Sequence, residues 1–145
     1  MKAFPFLSLL FLFFTPPVWQ TDFNQAMQKA KDEHKYILLS FSGSDWCIPC
    51  IKLHKEIFES SAFTSFADEN LELVNADFPR LKKHQLPQEQ QKKNDQLADR
   101  FDPQGSFPYT VLLNEEGKVV KSWEGYPNIS AEEFTNQLKS LVHAR

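Results

Sequence analysis

Cys47 and Cys50, separated only by Ile48 and Pro49, are the entire thiol inventory of a 145-residue chain. A disulfide between them closes a very small loop. The chain entropy that a crosslink removes grows with loop length, so stability gives no account of the pair. Reactivity does. A continuous apolar run of strand length, residues 36–42, precedes the cysteines, and Ile51, Leu53, His54, Ile57 and Phe58 follow with helical spacing. The pair is therefore expected at a strand-to-helix junction. There, unpaired N–H groups and the positive end of the helix dipole stabilise a thiolate on the first cysteine. That assigns Cys47 as nucleophile and Cys50, one turn further on, as the thiol that displaces a mixed disulfide. Ile48 and Pro49 tune the geometry between them, and Pro49 removes one N–H.

The same residues admit other chemistry. Cys47, Cys50 and His54 fall at i, i+3 and i+7 and could share one helical face as metal ligands. Three ligands without a second cysteine pair fall short of a closed tetrahedral zinc site, although soft thiolates suit copper(I). No metal is expected, and copper or zinc handling is kept as an alternative. A binding module with an inert Cys47–Cys50 bond is another, because a fold does not dictate a function. His54 is by default a solvated or packing residue, and Trp46 is either a core aromatic or part of the frame around the disulfide. Asp45 and Glu56 are nearby acids with no assigned role, and none is given to His34, His84 or His143. The formal net charge of −3 offers no electrostatic reason to expect nucleic acid or an anionic membrane. The mixed-sign run of residues 80–96, RLKKHQLPQEQQKKNDQ, reads as a solvated loop and helix.

The elements that must position the cysteines follow from periodicity. Residues 1–20 carry one cation, Lys2, and an apolar run from Phe4 to Phe14, the pattern of a secretory leader and too short for a bilayer span of ~20 residues. The leader is expected to end near Gln20, with an uncleaved anchor as the alternative, and export places the cysteines where a disulfide can persist. Residues 21–145 then read as one domain. Phe23, Ala26, Met27 and Ala30 give a first amphipathic helix, and residues 36–42 a central buried strand. Residues 61–70 give a short helix, residues 71–78 a strand, and residues 86–101 a polar helix with Pro87 in its first turn and Leu97, Ala98 and Phe101 inward. Residues 109–114 and 118–125 flank a short turn at Gly117 and read as an antiparallel hairpin. Ser130 and Glu133 stand in capping-box spacing ahead of a last helix striped by Phe134, Leu138 and Leu141. Alternation followed by a hairpin predicts an α/β domain, a central mixed sheet with helices on both faces and a C-terminal hairpin plus helix.

A C-x-x-C beside a strand–helix pattern reads as a thioredoxin-like redox motif. The run from residue 36 to 58, the DFP at residues 77–79, the FPYT at 107–110 and the EGKVV…EGY of residues 116–126 together resemble the thioredoxin superfamily. They resemble more closely its exported bacterial branch, related to the C-terminal domain of the DsbD disulfide-interchange protein. The resemblance covers nearly all of the mature chain. It implies a thioredoxin fold and thiol–disulfide exchange with protein thiols and disulfides, with no prosthetic group. It further implies a reductase supplied with electrons by another protein, a membrane electron donor being a candidate partner. A monomer acting outside the cytoplasm, in the periplasm or beyond, is expected. It also implies a cis bond at Phe107–Pro108, facing the disulfide, and a substrate groove framed by Trp46, Ile48, Pro49, Phe107 and Pro108. Two departures stand out. The family carries a buried acid on the strand before the motif, where this chain has Ser40 or Phe41 depending on a one-residue slip. Tyr109 stands where the family usually has Thr.

Overall fold

The computed structural model describes residues 16–143, so the apolar run of the leader lies outside the described residues. The first helix, α1 (Phe23–Glu33), starts where the Asp22 carboxylate accepts the Gln25 N–H at 3.0 Å, and it ends at His34, whose φ of 55° is left-handed. Ala26 and Ala30 are fully buried, with Phe23 and Met27 packed beside them, which is the face the spacing predicts. Strand β2 (Tyr36–Ser42) follows and is buried along almost its whole length. Helix α2 (Ile48–Leu53) comes directly after the first cysteine and runs on into a π-helical turn, His54–Phe58, in which the Glu59 N–H reaches back to the His54 carbonyl at 2.9 Å. Helix α3 (Ser61–Asn70) is capped by Ser60, and β3 (Leu71–Asp77) leads through a 3-10 turn at Lys82–His84 to α4 (Gln88–Phe101). Strands β4 (Tyr109–Leu113) and β5 (Val119–Glu124) form the expected hairpin, with Gly117 at φ 80° in its turn. Ser130 accepts the Glu133 N–H at 3.1 Å and opens α5 (Ala131–Val142).

One short strand has no counterpart in the sequence reading. Trp19–Gln20, β1, pairs parallel with β3 at the edge of the sheet. The strand order is β1-β3-β2-β4-β5; β1, β3 and β2 run parallel, and β4 and β5 are antiparallel additions. This is the thioredoxin fold, a mixed sheet with β2 at its centre. The period of two along β2 divides the core. Leu38 faces a cluster with Leu53, Ile57, Phe58, Phe63, Phe134 and Leu138 from α2, the π turn, α3 and α5. Ile37, Leu39 and Phe41 face the opposite cluster with Ala26, Ala30, Leu97 and Val111. Every one of these β2 side chains is fully buried, and burying each such aliphatic or aromatic group is worth roughly 1.5–3 kcal/mol. The strand that leads into the cysteine loop is thus buried on both faces of the sheet.

Candidate active site

Past the end of β2, the chain turns at Gly43, whose carbonyl accepts the N–H groups of Trp46 and Cys47 at 3.3 and 2.9 Å. This turn lifts Cys47 to the N-cap of α2. Its sulfur accepts the Cys50 N–H at 3.3 Å, and it is bonded to the Cys50 sulfur across a Cα–Cα distance of 5.2 Å. Both cysteines are 4% exposed, whereas Ile48 between them is 73% exposed. In the reduced pair, the same N–H and the dipole of the helix favour negative charge on the Cys47 sulfur. Pro49 fits the first turn of the helix, where its missing N–H has no acceptor to lose.

Two loops hold the Trp46 side of the disulfide. Asp77, at the end of β3, accepts the Ser44 N–H at 2.9 Å and the Ser44 hydroxyl at 2.6 Å, and its own carbonyl accepts from the buried Asn94 side chain at 2.9 Å. Asp45 accepts the N–H groups of Arg80 and Leu81, each at 2.9 Å, and sits 3.1 Å from His84 Nδ1. The Arg80 N–H foremost, with Leu81 and His84 adding to it, holds the Asp45 carboxyl below its ordinary range. The Trp46 indole donates to the Phe78 carbonyl at 2.7 Å, meets the Phe107 ring edge-on at 5.5 Å, and is covered by the Arg80 guanidinium 3.6 Å from the ring centroid. A Cβ on Gly43 would stand 2.3 Å from that indole, so only glycine leaves room for it. Trp46 is therefore a half-buried, fixed rim aromatic rather than a core residue.

Phe107–Pro108 is a cis peptide bond. Pro108 is buried and shares with Cys50 the wall of a cavity of about 540 Å³. Its carbonyl accepts the Gly125 N–H at 2.8 Å. The loop leading to it starts at Asp102, whose Oδ1 accepts the Ser106 N–H at 3.0 Å while Oδ2 has no hydrogen-bond partner. Burial, aided by the charge of Glu124 and opposed by the Ser106 N–H, pushes the Asp102 carboxyl above its ordinary range. Tyr109 does not project over the groove as bare bulk: its ring is half-buried and packs against Phe41, 6.3 Å between centroids.

The cavity behind Cys50 resolves the one-residue ambiguity on β2. Ser40 lines it together with Ser42, Asn75 and Pro108, while Phe41 points into the opposite core. Ser40 pairs with Asn75 on β3 and Thr110 on β4, so three small polar residues stand where the family places an acid. Glu56 is no substitute, since its carboxylate accepts from the Tyr126 hydroxyl, and Asp45 is spent on the loop of residues 80–84. Among the described residues, the titratable side chains on the cavity wall besides Cys50 are His54, Lys55 and Glu59. His54 meets the Phe58 ring edge-on and the Trp19 ring at a tilt, and lies 3.5 Å from Glu59. Among the described residues, no group of three or more His, Cys, Asp or Glu side chains is placed to hold a metal ion.

Gly43, Asp77, Arg80 and Trp19 are the site residues that sequence reasoning passed over. The DFP segment hinted at Asp77, and the adjacency of Gly43 to the motif was a signal for it; the other two carried none.

The thioredoxin-like domain family matches residues 23–141. A Chlamydia pneumoniae protein named disulfide bond reductase DsbH is 38% identical over 127 residues, which span 88% of this chain and 74% of that one. The solved structure of a DsbH oxidoreductase superposes with a TM-score of 0.80 at 34% identity, covering 90% of this chain and 88% of the other. The oxidised C-terminal domain of Neisseria meningitidis DsbD shares the fold, with a TM-score of 0.56 at 16% identity over 81% of this chain and 90% of that domain. With a helix-capping cysteine bonded to Cys50, and with Cys50 and a cis-proline on one cavity wall, the chain belongs to the thioredoxin-like domain family.

Proposed function

We propose that this protein is an exported thiol–disulfide oxidoreductase that reduces disulfides in other proteins. The observation that carries the reading is the placement of Cys47 at a helix N-cap with Cys50 bonded to it and lining a cavity that Ser40, Ser42 and Asn75 also reach. In the reduced enzyme the Cys47 thiolate attacks one sulfur of a substrate disulfide, forming a mixed disulfide and releasing the other substrate sulfur as a thiolate, which takes up a proton. Cys50 loses its proton toward the cavity and attacks the Cys47 sulfur, which releases the second substrate thiol. The substrate gains two electrons and the pair ends oxidised. A second protein must then reduce it, and a membrane-bound dithiol donor fits that need. No prosthetic group enters the cycle. Trp46, Ile48, Pro49, Phe107 and Pro108 frame the groove against which an extended substrate segment lies.

The reductive direction is supported by the likeness to a protein named disulfide bond reductase. Export is supported by the cation and apolar run at the N-terminus. The deciding measurement is the reduction potential of the Cys47–Cys50 pair, by equilibration with glutathione and alkylation of free thiols. A value near −270 mV, about that of thioredoxin, is expected, and one approaching about −120 mV would make the protein an oxidant instead. Failure to equilibrate would favour an inert binding module. Cys47→Ser is expected to abolish exchange, and Cys50→Ser to accumulate mixed disulfides.

A further inference from the structure

The chain carries a formal net charge of −3, yet residues 80–84, RLKKH, place three cations without a carboxylate partner among the described residues on the loop that faces Trp46. Arg80, Lys82, Lys83 and His84 are all exposed. Only His84 has a carboxylate partner among the described residues, Asp45 at 3.1 Å. The segment is not a loose tail. Asp45 grips the backbone of Arg80 and Leu81, and the indole of Trp46, the residue before Cys47, is tied to the carbonyl of Phe78. The Arg80 guanidinium lies over that indole, its carbon 3.6 Å from the ring centroid. Held there, it keeps the N–H edge of its fork free for a carboxylate, and the aromatic face shields the pair from water on one side. An open depression of about 550 Å³ runs alongside, between Trp46, Phe78, Arg80, Gln85 and Phe107.

From this arrangement we infer that the Arg80 rim recognises acidic side chains flanking the disulfide of a protein substrate. The inference rests on the exchange activity proposed above and adds the class of substrate it favours. Three cations without a carboxylate partner are fewer than the 4–8 that mark an anionic-lipid surface. They also stand beside an aromatic-lined depression that shares Trp46, the residue before Cys47, and Phe107, the residue before the cis-proline. Charge complementarity here speeds the encounter and sets the register of the substrate more than it deepens affinity.

The test uses the reduced protein and three synthetic disulfide-bridged peptides, identical except for Glu, Gln or Lys on either side of the cysteine under attack. Exchange rates are read at low and at physiological ionic strength. The Glu peptide is expected to react about tenfold faster than the Gln peptide at low salt, the Lys peptide more slowly than either, with the spread narrowing as salt rises. Arg80→Gln and, separately, Lys82→Gln/Lys83→Gln should each shrink the Glu-to-Gln ratio, Arg80→Gln by more. Because each ratio is taken within one protein, a general loss of activity or stability in a variant cannot imitate the effect. Equal rates for the three peptides, or a ratio unchanged in both variants, would overturn the inference. So would equal peptide rates accompanied by binding to anionic vesicles that the variants lose, which would assign the loop to a membrane. Absence of exchange with all three peptides would refute the exchange activity itself, and the inference with it.

Discussion

On the Trp46 side of the disulfide, Asp45, Asp77 and the indole N–H each bind backbone or side-chain groups on the facing loop, and the indole fills the space that a Cβ on Gly43 would need. The Cys50 side is built differently. Ser40, Ser42 and Asn75 line a cavity of about 540 Å³ whose far edge is formed by Trp19, His54 and Glu59. In the exchange reaction proposed above, the two flanks would serve different halves. A substrate backbone must be held in register while its disulfide is attacked, which calls for fixed donors and rings. The resolving thiol must lose a proton, which calls for polar space rather than rigid contact. A family acid on β2 would have put a charge in that space; Ser40 leaves proton transfer to whatever reaches the cavity from its wall or from solvent.

Forcing the tight flank open should produce the largest effect. Gly43→Ala places a methyl group 2.3 Å from the Trp46 ring, so the indole must leave its seat and give up the bond to the Phe78 carbonyl. Overpacking of this kind together with a lost hydrogen bond is expected to cost about 2–3 kcal/mol. Denaturant unfolding reads the loss, and the fluorescence of the oxidised protein should change with the new position of Trp46. Exchange with a peptide disulfide should slow more than exchange with a small disulfide that needs no groove. Unchanged stability and unchanged peptide exchange would mean that the Trp46 flank is not the rigid one.

What could be seen in the sequence follows the same division. The cysteine pair, its strand and its helix were legible because their signals are local: an apolar run, a spacing of three, a helical stripe. Ser40 and Phe41 could not be told apart, since a slip of one residue exchanges the two faces of a strand and only the register against Asn75 and Thr110 decides between them. The clamp was invisible because Asp45 finds its partners 35 and 36 residues away, in a polar loop without periodicity. The π turn after Leu53 leaves a sequence that still reads as ordinary helix. Strand β1 has two residues, too few for any alternation, and lies in the stretch read as the end of the leader.

That strand offers a test of the Cys50 flank. Trp19 packs on Phe58, 5.0 Å between ring centroids, and on His54, and it walls the cavity. It is half-buried, so Trp19→Ala should cost about 1–2 kcal/mol, less than the 3–5 typical of a fully buried aromatic. A chain started at Thr21 loses β1 altogether and should be destabilised at least as much relative to one started at Pro16. Equal stability of the two truncations would show that β1 contributes nothing, and that the cavity is bounded by α2 and the sheet alone.

The smallest effect belongs to Asp102, under the loop that presents Phe107 and Pro108. The residue is 4% exposed, and its carboxyl has one oxygen without a partner and is raised in pKa chiefly by burial. A carboxyl raised in the folded state binds its proton more tightly there than in the unfolded chain, so its protonation adds stability as pH falls. That contribution is complete below the unfolded value of about 3.8 and is lost as pH rises through the folded value. At neutral pH the buried charge therefore weakens the fold. Asp102→Asn keeps an acceptor for the Ser106 N–H and removes the charge, and it should raise stability at pH 7 by roughly 0.5–1 kcal/mol, the scale of one hydrogen bond. Asp22 and Asp45, whose carboxyls are held low, oppose this trend as pH falls, so the quantity to follow is the difference between variant and parent. That difference should shrink as the solution is acidified, since the parent then neutralises Asp102 by itself. A difference that stays constant from pH 7 to pH 4 would mean that the charge on Asp102 is already compensated, and that the loop carrying Pro108 is as fully satisfied as the clamp around Trp46.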